Sequence, residues 1–135
     1  MQVDEYLVAQ AKSFLQVRYP NGEGTVAAAY TDDGTVLLGV STDALHEQVG
    51  LCAETGPICE AFRLNKRIVA SVCISDANPA RVTNFLTPCG VCQERLFFWG
   101  PEVSVAVPRA DDATEWEAKT LAEIQPYFWY KVYQR

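Results

Sequence analysis

Cys89 and Cys92 stand three residues apart in Pro88-Cys89-Gly90-Val91-Cys92, and Cys52 precedes a carboxylate by two in Cys52-Ala53-Glu54. Residues three apart share one side of a helical turn, so both sulfurs of the later stretch can face the same point. Thiols at that spacing chelate zinc as thiolates. A third thiolate from Cys52 leaves the fourth tetrahedral position open for water, which separates a catalytic zinc from a structural one. Glu54 is then placed to touch that water without binding the metal, as a proton carrier.

Other readings of the thiols are weaker. A closed zinc knot calls for a second Cys-x-x-Cys, which the chain lacks. A redox pair of the thioredoxin type sits near the start of a βαβ pattern, earlier than residue 89. A disulfide framework suits a short secreted chain, and no signal peptide is read here. A catalytic zinc is the favoured reading, with a structural metal behind it. Of the five cysteines, Cys59 and Cys73 lie in apolar surroundings and are expected to be inert core thiols.

The chain that must position these groups has 135 residues, which predicts one domain over residues 1–135. Hydrophobic residues make up 49% and charged residues 21%, the balance of an ordinary soluble protein. No apolar run reaches the length of a membrane span. A net charge of −6 argues against a nucleic-acid partner, because a phosphate backbone demands a basic face. A small-molecule substrate and a cytoplasmic location are expected.

Apolar positions at Val3, Tyr6, Leu7, Phe14 and Val17 predict an amphipathic first helix, stopped by Pro20-Asn21-Gly22. Two strands, Thr25 to Tyr30 and Thr35 to Val40, flank a hairpin turn at Asp32-Asp33-Gly34. Neither alternates cleanly, so both sheet faces should be covered. A polar loop over 41–50 leads to a helix from Cys52 to Leu64, whose first turn holds Cys52 and Glu54, where the helix dipole favours a thiolate. Ile68 to Ile74 reads as a third strand, 76–84 as a loop, and Pro88 as the opening of a helix that runs to Gly100. A fourth strand follows over Val103 to Val107. Residues 115–124 read as helix, with Asp111-Asp112 and Glu115 to Glu117 as its solvated starting face. Phe128 to Tyr133 is either a fifth strand or an aromatic tail. Helices and strands in this order give an α/β domain with helices on both sheet faces and the two cysteine-bearing helix starts at one end.

Cys-Ala-Glu at 52–54 and Pro-Cys-Gly-Val-Cys-Gln at 88–93 resemble the cytidine deaminase family, the small free-nucleoside branch that includes blasticidin S deaminase. An alanine-rich strand before Asp33-Gly34, Gly39 near the end of the second strand, and Leu121-Ala122-Glu123-Ile124-Gln125-Pro126 match in order. The signature of zinc deaminases is three metal ligands with a glutamate that is not one of them. The resemblance implies a three-layer fold with a mixed five-stranded sheet, one zinc per subunit and a homotetramer. It also implies zinc on Cys52, Cys89 and Cys92, with Glu54 as proton shuttle. The implied reaction is hydrolytic deamination of cytidine, deoxycytidine or a related aminopyrimidine nucleoside, giving the uridine-type product and ammonia.

The departures concern the substrate. The family's Asn-x-Glu, which grips the ribose, falls on Ser41 and Asp43, and an aromatic position near the substrate falls on Glu23. These three are the candidate substrate-binding residues. Shorter reach at 41 and 43 should weaken sugar recognition, and a negative charge at 23 favours a cationic or donor-rich substituent. The arginine after Cys-Ala-Glu is Thr55 here, and the Arg-Gln after the last cysteine is Gln93-Glu94. Arg63, Arg67 or Arg95 are the candidates to supply that cation from elsewhere. His46, alone in the loop, reads as solvated. The alternatives are deamination of a modified or antibiotic nucleoside, or of a free aminopyrimidine base. A non-enzymatic alternative is a zinc-stabilised small-ligand binding protein, against which Glu54 speaks.

Overall fold

Asp4 opens the first helix by accepting a hydrogen bond from the Leu7 amide at 2.9 Å. The helix, α1 (Glu5–Arg18), turns Leu7, Val8, Ala11 and Leu15 inward. A hairpin follows, β1 (Thr25–Thr31) and β2 (Val36–Val40). Its turn is held by Asp33, whose carboxylate accepts from the Thr35 amide at 3.1 Å and pairs with Lys66 at 2.8 Å. Gly34 supplies the positive φ of 83° that this turn requires. The remaining elements are α2 (Thr55–Leu64), β3 (Ile68–Ser75), the two-residue β4 (Asn84–Phe85), α3 (Gly90–Leu96), β5 (Ser104–Arg109), β6 (Asp112–Thr120) and the single-turn α4 (Leu121–Ile124). This is a computed structural model, and it describes residues 1–133.

The strands form one mixed sheet in the order β2-β1-β3-β5-β6, with β4 paired to β3. Among the described residues only the β3–β5 pair is parallel. Alternation along β1 sends Val26, Ala28 and Tyr30 to the face covered by α1, where they meet Val72, Ile74 and Phe85. Ala29 on the other face joins Ile58 and Ala61 of α2, Leu96 of α3 and Val105 of β5. Ala27, Ala53 and Cys73 make a third, small cluster of their own. Three small side chains there bring the segment carrying Cys52 and Glu54 close to the sheet. The α/β class and the three layers match the sequence expectation. No helix of the described residues is long and apolar enough to cross a membrane.

The expectation of a helix over 115–124 is corrected. Asp112 to Thr120 is β6, an edge strand of a six-stranded sheet, and only Leu121–Ile124 is helical. Helix-favouring Glu115, Glu117, Ala118 and Lys119 yield to pairing with β5, from Ser104↔Thr120 to Pro108↔Trp116, while Trp116 and Ala118 pack against the core. Asp112 is therefore a hairpin residue that accepts from Thr114, not a helix start. The fifth strand considered at Phe128 to Tyr133 is absent. Trp129–Tyr133 forms 3-10 turns, so the aromatic-tail reading holds.

Three further corrections touch the cysteines. The second helix begins at Thr55, not Cys52. Pro57 has no amide hydrogen to give the Ala53 carbonyl, so the first bond of the helix is Ile58 N–H to Glu54 at 3.0 Å. Pro88 likewise stands just outside α3, whose N-cap is Cys89. Cys59, expected in the core, is exposed, because α2 turns Ile58 and Ala61 to the sheet instead.

Candidate active site

Cys52 comes from the turn before α2, Cys89 from the N-cap of α3 and Cys92 from its first turn. Their sulfurs all lie within 4.8 Å of one another, and the Cys52 and Cys89 sulfurs are 3.5 Å apart. Tetrahedral thiolate ligands at the Zn–S length of about 2.3 Å are separated by about 3.8 Å. The donor set and its spacing therefore fit a zinc ion, and these three residues could hold one. Among the described residues no other group of three metal-ligating side chains gathers in this way.

The three thiols differ electrostatically. Burial raises Cys89, but the Cys92 amide, the neighbouring thiols and the Val91 amide outweigh it and lower its pKa. These are the free donors of a helix N-terminus, which favour a thiolate. Burial pushes Cys92 up, and the Glu54 carboxylate and neighbouring sulfurs add to the effect. Cys52 is also raised, by burial first and then by Cys89. A cation among them would favour the thiolate form of all three.

Glu54 occupies the N-cap position of α2, yet its side chain makes no capping bond. It is 4% exposed, and burial raises its pKa against hydrogen bonds from its own amide, Cys73 and Cys92 that lower it. A carboxylate spent on its helix would show the capping bond; this one is turned toward the sulfurs instead. Sequence reasoning missed Cys73 as part of this surrounding. The signal was one of register: Cys73 pairs with Ala27 across β1 and β3, on the face that meets Ala53.

No family model and no curated protein matches the chain. Among solved structures, the chain is 40% identical to the cytidine deaminase from Bacillus anthracis, with a TM-score of 0.87, over 96% of this chain and 91% of that one. The chain belongs to the cytidine deaminase family. A variant of the cytidine deaminase from Mycobacterium tuberculosis is 26% identical, with a TM-score of 0.70, over 93% of this chain and 94% of that one. The Burkholderia pseudomallei cytidine deaminase shares the fold, with a TM-score of 0.70 at 20% identity, over 93% of this chain and 98% of that one.

Ser41 and Asp43, the candidate substrate residues read from the sequence, lie just past the end of β2. The Ser41 amide donates to the Thr25 carbonyl at 3.0 Å, at the end of β2. Between Ser41 and Asp43, Thr42 exchanges two bonds with Leu51, 2.9 Å from its amide and 2.8 Å to its hydroxyl. Thr42, which stands between the two candidates, is thus tied to the residue that precedes Cys52. Glu23 is less available. It sits at a φ of 72° and its carboxylate pairs with Arg81 at 2.9 Å, so the negative charge read from the sequence meets a cation of the chain itself. His46 precedes a 3-10 turn in the exposed loop.

Of the three arginines considered, Arg63 is engaged by Glu60 and Arg67 by the Trp99 carbonyl. Arg95 reaches across from α3 to the Thr55 hydroxyl at 3.2 Å, next to Glu54 in sequence. A groove of about 600 Å³ lies away from the thiols. It runs along the outer side of α2 and α3, lined by Phe62, Arg95, Phe98, Phe128, Trp129 and Tyr130 among others.

Proposed function

We propose that the chain is a zinc-dependent hydrolytic deaminase that converts cytidine or a related aminopyrimidine nucleoside to its uridine-type product and ammonia. The observation that carries this reading is the convergence of three sulfurs beside a buried carboxylate that caps nothing. Family membership supports the same chemistry, since the related solved structures are cytidine deaminases. Cys52, Cys89 and Cys92 hold the metal. Zinc bound there supplies Lewis acidity that makes water nucleophilic near neutral pH.

Glu54 carries the protons. Its carboxylate oxygen accepts one proton from the attacking water and delivers it to the ring nitrogen, then accepts the second from the hydroxyl now on the ring carbon and passes it to the amino group, so that the carbon–nitrogen bond breaks and ammonia leaves. Burial, which raises its proton affinity, suits a group that must both accept and donate. The wall of Ala27, Ala53 and Cys73 behind it keeps bulk water from that side. A binding protein has no use for such a carrier, which favours turnover over mere binding.

For the substrate, Ser41 and Asp43 are the residues that meet the sugar, through shorter arms than the Asn and Glu they replace. Weaker sugar recognition follows, with tolerance of compounds altered at the sugar. The Glu23–Arg81 pair argues against a free acidic contact for a cationic substituent. The assembly is a homotetramer, supported by the aromatic groove and by Phe98 and Trp129, which stand 70% and 56% exposed. The chain acts in the cytoplasm on free nucleosides, in pyrimidine salvage.

Elemental analysis of the wild type and of Cys52→Ala, Cys89→Ala and Cys92→Ala tests the metal site, alongside ammonia release from cytidine, deoxycytidine, cytosine, blasticidin S and isocytosine. One zinc per wild-type chain, lost in the variants, with release from at least one of the compounds supports the reading. Full zinc retention in all three variants, or no release from any compound, overturns it.

A further inference from the structure

Gln93 follows the last cysteine by one residue, and its amide is the middle member of a three-group chain. Its Nε2 donates to the Pro88 carbonyl oxygen at 2.7 Å, and its Oε1 accepts from the Gln125 Nε2 at 2.6 Å. A backbone carbonyl can only accept. The Gln93 amide must therefore turn its nitrogen to Pro88 and its oxygen to Gln125, and Gln125 must answer with a donor. One carbonyl thus fixes the orientation of both side chains.

That carbonyl belongs to the planar peptide unit that leads into Cys89. Pro88 is buried, whereas Cys89 is exposed at the N-cap, its own carbonyl accepting from the Gln93 amide at 2.8 Å. Cys92, by contrast, is buried in the helix. The other end of the chain of bonds is rigid. Gln125 closes α4, donating its amide to the Leu121 carbonyl at 2.8 Å. The turn is fixed by a capping box between Thr120 and Glu123 and by the fully buried Leu121, whose amide bonds the Val103 carbonyl at 3.0 Å.

We propose that Gln125 is a positioning residue for the thiol site: through Gln93 it pins the Pro88–Cys89 peptide and so keeps the Cys89 sulfur in register with Cys52 and Cys92. The metal-binding consequence rests on the zinc reading above; the pinning of the peptide does not. Groups that hold metal ligands from outside typically change affinity 10–100-fold when removed. This one acts a backbone step further away, so about a three- to tenfold effect is expected.

The test compares wild type, Gln125→Met, Gln93→Met and the double variant. Zinc affinity is read by competition with a chromophoric chelator, and backbone hydrogen exchange over residues 86–92 is read in metal-free protein. Each single change should weaken zinc about three- to tenfold and speed exchange in that segment. The double variant should be no weaker than Gln93→Met alone, because either change breaks the same chain of bonds. Asp4→Ala, which removes the α1 cap on the opposite sheet face, controls for general destabilisation and should leave zinc affinity unchanged. If Gln125→Met does not fold, Gln125→Asn, which withdraws the donor on a shorter arm, decides by the same readouts. A wild type that takes up no zinc removes the zinc reading, and exchange over 86–92 alone then decides the pinning. Unchanged exchange in the Gln125 variant, or zinc losses that add in the double variant, would overturn the proposal.

Discussion

A methyl group added to Gly39 would lie 2.3 Å from the Ala53 carbonyl oxygen and 2.4 Å from Pro57 Cδ. Gly39 sits near the end of β2, and Ala53 stands between Cys52 and Glu54. The strand and the segment carrying two of the site's residues are thus in contact through a bare backbone. The obstacles are a backbone carbonyl and a proline ring, neither of which can swing aside.

Gly39→Ala should therefore move the site rather than only strain the strand. Overpacking of this kind costs about 1–3 kcal/mol, and displacement by even a fraction of an ångström separates Cys52 from its partners. We expect a lower melting temperature and a loss of bound zinc larger than the stability change explains. Zinc content equal to wild type in folded Gly39→Ala would show that the segment accommodates the methyl group without shifting the sulfurs.

The β1–β2 turn gives a pH dependence with a definite sign. Hydrogen bonds from Lys66 first, then from Thr31 and Thr35, hold the Asp33 carboxyl well below the usual carboxylate range. A carboxyl depressed in the folded state stabilises above its unfolded value, about 3.9, and that contribution is lost as the pH falls toward the folded value. Asp33→Asn should lower the melting temperature at neutral pH, with the gap to wild type closing below about pH 4. Melting curves across the range check it; a gap that stays constant into acid would assign the effect to turn shape instead of charge.

The thiol cluster was legible in the sequence because it is carried by cysteines at short spacings. Cys89 and Cys92 are constrained by one helical turn, and only their meeting with Cys52 required the fold. The first helix, the hairpin and β3 were equally legible, from apolar periodicity and Asp33-Gly34. What failed were local preferences overruled by partners distant in sequence. Helix-favouring residues at 115–119 became strand because β5 lay beside them. Cys59 looked apolar in its neighbourhood but fell on the outer side of α2. The Gln93–Gln125 bond joins residues 32 apart and has no trace in either local stretch. The pairing of Glu23 with Arg81, 58 residues away, was hidden for the same reason.

The exposed aromatic groove along α2 and α3 predicts assembly. Phe97 and Phe128 stack with ring centres 3.7 Å apart, which fixes the C-terminal segment, while Phe98 and Trp129 remain open to solvent. Light scattering should give a mass four times that of the 15.0 kDa chain. Phe98→Glu should shift it toward smaller species. A monomer at every concentration would mean that this chain closes its pocket alone.

The central claim is that Glu54 moves protons beside a metal held by three thiolates. The most direct measurement is the rate of cytidine deamination, read as loss of ultraviolet absorbance together with ammonia release, by wild type and Glu54→Gln preparations matched for zinc content. General acid–base transfer contributes about 10²–10⁴-fold, so Glu54→Gln should keep its zinc and its fold while losing at least about a hundredfold in rate. A zinc-loaded Glu54→Gln protein that deaminates cytidine within a few-fold of wild type would contradict the account.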